Sequence, residues 1–108
     1  MRAHRMYFSD GELEPGVFKP QGLGMSVDWE KYSSAEDTRN RAKKPHDNAV
    51  IKMPVGSIRE IKPLRLEHTP DFPSNRAHSE VYDMLGEAFI EIRVKLRRIA
   101  DIIIPLKP

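Results

Sequence analysis

The sequence predicts an α+β fold in one small domain, and three observations carry that prediction. Its 108 residues suffice for one ordinary hydrophobic core and are too few for two. Seven of its nine prolines and five of its six glycines cut the first three quarters into short pieces, between which lie runs rich in β-branched residues. From residue 74 to 104, by contrast, there is no proline and a single glycine, Gly86, so the longest regular element belongs at the C-terminal end. With 39% of residues apolar, the core must be small.

Residues 9 to 24 are turn-rich and leave space for at most a short extended piece around Val17-Phe18. Residues 1–24 are therefore expected as a loop-rich, partly flexible arm. Ser33 is followed three residues later by Glu36, a capping-box spacing, and no breaker intervenes before Pro45, which predicts a short helix near 34–43. Its Glu36 and Asp37 fall in the first turn and Arg41, Lys43 and Lys44 in the last, the order the helix dipole favours. Asp47-Asn48 signal a turn ahead of Ala49–Val55, an apolar, β-branched run that reads as a strand. Pro54 brings no N–H to a ladder, so it belongs at an edge or at the strand end. Ser57–Ile61 is too short to decide between a turn of helix and an extended piece. Leu64–His68 alternates strictly and reads as a strand with Leu64, Leu66 and His68 on one face.

Ala77–Tyr82 alternates at Ala77, Ser79 and Val81, which favours a strand over a first helical turn. Ile90–Arg97 also alternates, yet Phe89, Ile92, Leu96, Ile99 and Ile103 recur at spacings of three and four over a longer span. The longer pattern predicts an amphipathic helix near 87–100, with Glu87 and Glu91 early and Lys95, Arg97 and Arg98 late. Ile102-Ile103-Ile104 then suits a short final strand before Pro105.

Charge divides along the chain. Of 18 Lys/Arg and 16 Asp/Glu, residues 1 to 38 hold four and seven, and the remainder fourteen and nine. The densest basic stretch, residues 39–65, carries Arg39, Arg41, Lys43, Lys44, Lys52, Arg59, Lys62 and Arg65 against only Asp47 and Glu60. On one face these would hold a nucleic-acid backbone or an acidic protein; dispersed, they are a solvated surface. No aromatic residue is interleaved with them, which argues against a stacking platform for single strands. The chain has no cysteine, which excludes disulfides, thiolate zinc sites and thiol nucleophiles. No run approaches the roughly 20 apolar residues that span a bilayer, and Met1-Arg2-Ala3-His4-Arg5 has no apolar signal core behind its charges. A cytoplasmic protein without a membrane partner is expected, and no cofactor motif is present. Gly22-Leu23-Gly24 lacks the third glycine of a dinucleotide fingerprint, and there is no Walker sequence.

Candidate chemistry rests on few residues. His4 in a frayed terminus and His46 in a loop read as solvated histidines. His68 and His78 bracket a loop containing Asp71, Asn75 and Arg76, held between two ordered segments. Three functional readings fit them: a His/His/Asp metal site completed by Asp71 or Asp28, an acid/base pair for phosphodiester chemistry, or an anion pocket using Arg76, Asn75 and protonated histidine. The spacing matches no zinc signature, and no metal is assigned. The bland alternative has His68 capping a strand end, His78 bonding a turn and Asn75 holding the loop. Ser26-Val27-Asp28-Trp29 contains the one tryptophan, which reads as a core or interface anchor, although Asp28 beside Trp29 also fits a ligand pocket. Ser26 lacks both a nucleophile-elbow context and an evident base.

Phe18-Lys19-Pro20, Gly24-Met25-Ser26-Val27-Asp28-Trp29, His68-Thr69-Pro70 and Asn75-Arg76-Ala77-His78-Ser79, in that order, resemble a group of small uncharacterised prokaryotic proteins over residues 18 to 104. The resemblance implies that these segments belong to one site, with Ser26, Asp28, His68, Asn75 and His78 as its residues. It brings no activity with it.

Three function classes follow. The first is a binding or interaction module, alone or accessory to a larger protein, with Ser26, Asp28 and Trp29 as binding residues and a protein partner or second copy meeting the C-terminal helix. The second is a small hydrolase or nuclease with His68 and His78 as general acid and base, Arg76 stabilising developing charge and Asn75 orienting. The third is a non-catalytic nucleic-acid binder using Arg39, Arg41, Lys43 and Lys44.

Overall fold

A computed structural model describes residues 1–86 and 88–108 and shows a mixed α+β domain built on two three-stranded antiparallel sheets. In the first sheet, β5 (Asn48–Lys52) lies between β1 (Arg2–His4) and β8 (Asp101–Ile104), with a register shift between Val50 and Ile51 on the β8 side. In the second, β7 (His78–Tyr82) lies between β4 (Gly24–Asp28) and β6 (Arg65–His68). A hairpin of β2 (Phe8–Ser9) and β3 (Glu12–Leu13) joins at Asp10-Gly11, both with positive φ. That is the backbone of the two-residue turn matching strand twist, and Asp-Gly is a sequence that adopts it readily.

The helices are α1 (Ala35–Asn40), α2 (Val55–Glu60) and α3 (Phe89–Ile99). The capping residue of α1 is Ser34, whose Oγ accepts from the Asp37 N–H, one position beyond the expected Ser33. Ser33 is instead buried and bonded to Thr38. Residues 57–61, ambiguous in the sequence, belong largely to α2, and the three-residue spacing of buried Ile58 and Ile61 is the helical one. Pro54 stands just past β5 and opens α2. In α3 the stripe does as its period demands, with Ile92 and Leu96 buried and Phe89 and Ile99 packed on the core edge. Glu87, expected in its first turn, lies outside the described residues. Ile90 and Val94 face solvent on the helix's other side.

The expected N-terminal arm is an integral part of the body. Ala3, Leu13, Val17 and Phe18 belong to the same core as Met25, Ile51, Val81, Met84 and Leu96. Two basic residues of α3 fasten it: Arg97 Nε donates to the Leu13 carbonyl at 2.8 Å and Arg93 Nε to that of Pro15 at 3.2 Å. The start of the chain is likewise in a sheet, since β1 pairs with β5 and the Met1 ammonium donates to the Ile51 carbonyl. His4 is thus a strand residue whose Nδ1 accepts from the Met6 N–H, and the frayed terminus expected there is not found. Among the described residues no helix is long and apolar enough to cross a membrane.

Candidate functional site

The period of two in the second sheet sorts its side chains onto two sides. Met25, Val27, Ser79, Val81 and Leu66 turn toward the core, and Ser26, Asp28, His78, Glu80, Arg65 and Glu67 turn away. His68 pairs with Ser79 and therefore lies on the inner side, while His78, one residue earlier, lies on the outer side. The loop between them does not bring the imidazoles together. An acid/base pair or a His/His/Asp metal site built on both would have to bridge the two faces of this sheet. Among the described residues no three His, Asp or Glu side chains are grouped as metal ligands.

On the inner side, a cleft of about 990 Å³ opens between the sheets. β5 supplies Val50 and Ile51 to one wall, and β4, β6 and β7 supply Val27, Leu66 and Ser79 to the other. At the cleft's edge stand three rings. The Trp29–Tyr32 centroids are 5.3 Å apart and edge-on, the Trp29–His68 centroids 5.0 Å and edge-on, and Tyr32 and His68 are stacked at 5.6 Å. The Arg76 guanidinium lies 3.9 Å from the Tyr32 centroid, and Lys31 Nζ is 5.3 Å from Trp29 and 5.4 Å from Tyr32.

Backbone bonds set this cluster. The Trp29 N–H donates to the Ala77 carbonyl and the Tyr32 N–H to that of Trp29, closing a turn directly after β4. His68 Nε2 lies 2.7 Å from the Arg76 carbonyl, which only accepts, so Nε2 carries the proton. Trp29 is 38% exposed, so of the core or interface anchor expected of the one tryptophan the core half is not found. It follows the last residue of β4, where the chain leaves the sheet at the mouth of the cleft.

On the outer side, Asp28 is the hub of a polar cluster. Its Oδ1 accepts from Asn75 Nδ2 at 2.8 Å, and its Oδ2 from Thr38 Oγ1 and Arg41 Nη1, both at 2.8 Å. Arg41 also donates to Ser33 Oγ. Burial pushes the Asp28 carboxyl up, but the bonds from Asn75 and Thr38 and the charge of Arg41 outweigh it and hold the carboxyl below its ordinary value of 3.8. Beside this hub, His78 Nε2 lies 3.3 Å from Ser26 Oγ, and His78 Nδ1 lies 2.9 Å from the Thr69 carbonyl. Asn75 holds its own loop through the Ala77 N–H, and each histidine bonds a loop carbonyl, as the bland reading of these residues has it.

Of the five residues that the resemblance places in one site, Ser26, Asp28, Asn75 and His78 come together and His68 stands across the sheet. Arg76 leaves Asn75 for the aromatic cluster. The basic stretch is largely used internally. Arg39 is buried, its Nε donating to the Pro45 and Asn48 carbonyls, so it cannot reach a phosphate. Arg41 is tied to Asp28, and Arg65 to Asp83 and Glu67. Lys43 and Lys44 are exposed.

Sequence reasoning missed Lys31 and Tyr32, although Trp29-x-x-Tyr32 just after a strand has the spacing of a turn that brings two rings together. It also found no base for Ser26, because the pairing of β4 with β7 leaves no local trace. No protein-family model, no curated protein and no solved structure matches the chain.

Proposed function

We propose that the protein is a small binding module that holds a mononucleotide-type ligand, a flat ring carrying one anionic group, in the cleft between its two sheets. The observation that carries this reading is the cluster of Trp29, Tyr32 and His68 at the cleft's edge, with Lys31 and Arg76 lying over the rings. Aromatic faces beside cations stack a base and meet its phosphate together. The cleft has the volume of a small-molecule site, between about 300 and 1,000 Å³. Its lining mixes Lys31, Lys52 and Arg59 with Asp28, Glu30, Asp37 and Glu67. Four carboxylates against three cations disfavour a long polyanion, which ranks a nucleotide, its phosphate met by Lys31 and Arg76, above a nucleic-acid strand.

Trp29 is the one tryptophan of the chain and reports directly on its own site. Titration with a purine mononucleotide is expected to quench its fluorescence to a one-site plateau. Tyr32→Ala is expected to weaken that binding roughly tenfold, since stacking a base on an aromatic ring is worth about 1–3 kcal/mol. An oligonucleotide should bind no more tightly than the mononucleotide. No saturable change at millimolar nucleotide, or equal affinity in Tyr32→Ala, would overturn the reading.

A further inference from the structure

We infer that Ser26 and His78, on the outer side of the second sheet, form a nucleophile–base pair that hydrolyses small acyl esters. Three observations point there. Ser26 is exposed, and its Oγ lies 3.3 Å from His78 Nε2. His78 Nδ1 lies 2.9 Å from the Thr69 carbonyl, which only accepts, and 3.0 Å from Thr69 Oγ1, which can take either role; the carbonyl favours the neutral tautomer with the proton on Nδ1 and a free lone pair at Nε2. Ser26 Oγ–H is then the donor of the pair, the orientation that general-base activation requires. The Thr69 carbonyl takes the orienting role that a carboxylate fills in the familiar triads.

The third observation is the hollow beside the pair. It measures about 130 Å³ and is lined by Arg2, Arg41 and Asn75 together with Ser26 and His78. At about 30 Å³ per water, it holds roughly four waters, which admits an acetyl-sized group and excludes a long chain. Arg2 brings N–H donors to the wall where negative charge would develop, while Arg41 and Asn75 bond the Asp28 carboxylate, which also lines the hollow.

The chemistry balances without any further reagent than water. Ser26 Oγ attacks the ester carbonyl carbon as its proton passes to His78 Nε2. The tetrahedral oxyanion collapses, breaking the bond to the alkoxy oxygen, which leaves as the alcohol with the proton from Nε2. Water, deprotonated by Nε2, then attacks the acyl carbon, and Ser26 recovers its proton from His78 as the acid departs. Thioesters with a small acyl group follow the same path with a thiol as leaving group.

The pair is separate from the inter-sheet cleft, so this inference and the nucleotide reading stand or fall independently. The test is incubation of the full chain with a small fluorophosphonate, read by intact mass and peptide mapping, alongside turnover of p-nitrophenyl acetate. A single adduct on Ser26 is expected, absent in Ser26→Ala and formed at least about a hundredfold more slowly in His78→Gln, the loss typical of removing a general base. Both side chains lie outside the core cluster, and circular dichroism of each variant verifies that the fold is retained. No adduct on the wild-type chain, an adduct that persists in Ser26→Ala, or labelling as fast in His78→Gln as in wild type would each overturn the inference.

Discussion

Asp28 shows how much one side chain can organise here. Its carboxylate takes donors from β4's neighbouring loop through Asn75, from α1 through Thr38, and from the residue after α1 through Arg41. Replacing it leaves three donors facing one another, so Asp28→Ala is expected to lower stability by about 2–3 kcal/mol in urea denaturation, the usual cost of stranding charged and polar partners. Its pH dependence has a definite sign. The folded-state pKa lies below the ordinary value of 3.8, so the unfolded chain binds the proton more readily. The stabilisation from Asp28 is therefore complete above the ordinary value and lost as pH falls through the folded-state pKa. An acid titration followed by circular dichroism should show Asp28→Asn with a shallower loss of stability below pH 4 than wild type. Neither the hub nor its partners announce themselves in the sequence, since Asn75 lies 47 residues from Asp28. Arg39 teaches the complementary lesson: in the sequence it belongs to a basic run, and only packing reveals it as a buried residue tying down the carbonyls before and at the start of β5.

Among the elements, legibility followed the length of the pattern. The stripe from Phe89 to Ile99 spans three turns, and its period fixes both helix and buried face, so α3 was readable to within two residues of its ends. β5, β6, β7 and β8 were each readable from local alternation or β-branching, whereas their pairing partners were not, because register is settled by contacts distant in sequence. That is why the sequence placed His68 and His78 in one site and the sheet separates them. The N-terminal 24 residues misled for a different reason. Their turns are local and legible, but the anchoring comes from Arg93 and Arg97 on α3, about 80 positions away. Leu96, fully buried where α3 meets this segment's core, is the side chain on which the arrangement leans most. Leu96→Ala is expected to cost about 2–5 kcal/mol in chemical denaturation, with the range set by how far the site collapses. A milder test lies on β4. A Cβ at Gly24 would meet Tyr82 and Glu80 at 3.1 Å, so Gly24→Ala should destabilise the second sheet by about 1–3 kcal/mol unless Tyr82 yields.

At the scale of the molecule, the radius of gyration of 13.3 Å is that of a compact body of this length, about 13 Å for 100 residues. One core cluster draws on both sheets and on α2 and α3. The α+β class was readable because proline and glycine segment the chain while residues 87–104 contain neither. The cleft was not readable, because it exists only where the two sheets, whose strand pairing has no local signature, part beside the core. The rings at its edge come from residues 29, 32 and 68 and the cations over them from residues 31 and 76, which no short window of sequence contains together. The sorting of one sheet into an aromatic, cleft-facing side and a polar, outward side is the feature from which both functional assignments derive.

The most direct test of the central claim, that ligand enters the inter-sheet cleft, is a ¹H–¹⁵N correlation spectrum of the full chain titrated with a purine mononucleotide. The account predicts saturable shifts in the Trp29 indole and in the amides of residues 29–32, 50–53, 66–68 and 76, with Ser26 and Asn75 nearly unmoved. A spectrum unchanged at millimolar ligand, or one whose shifts gather around Ser26 and Asn75, would contradict it.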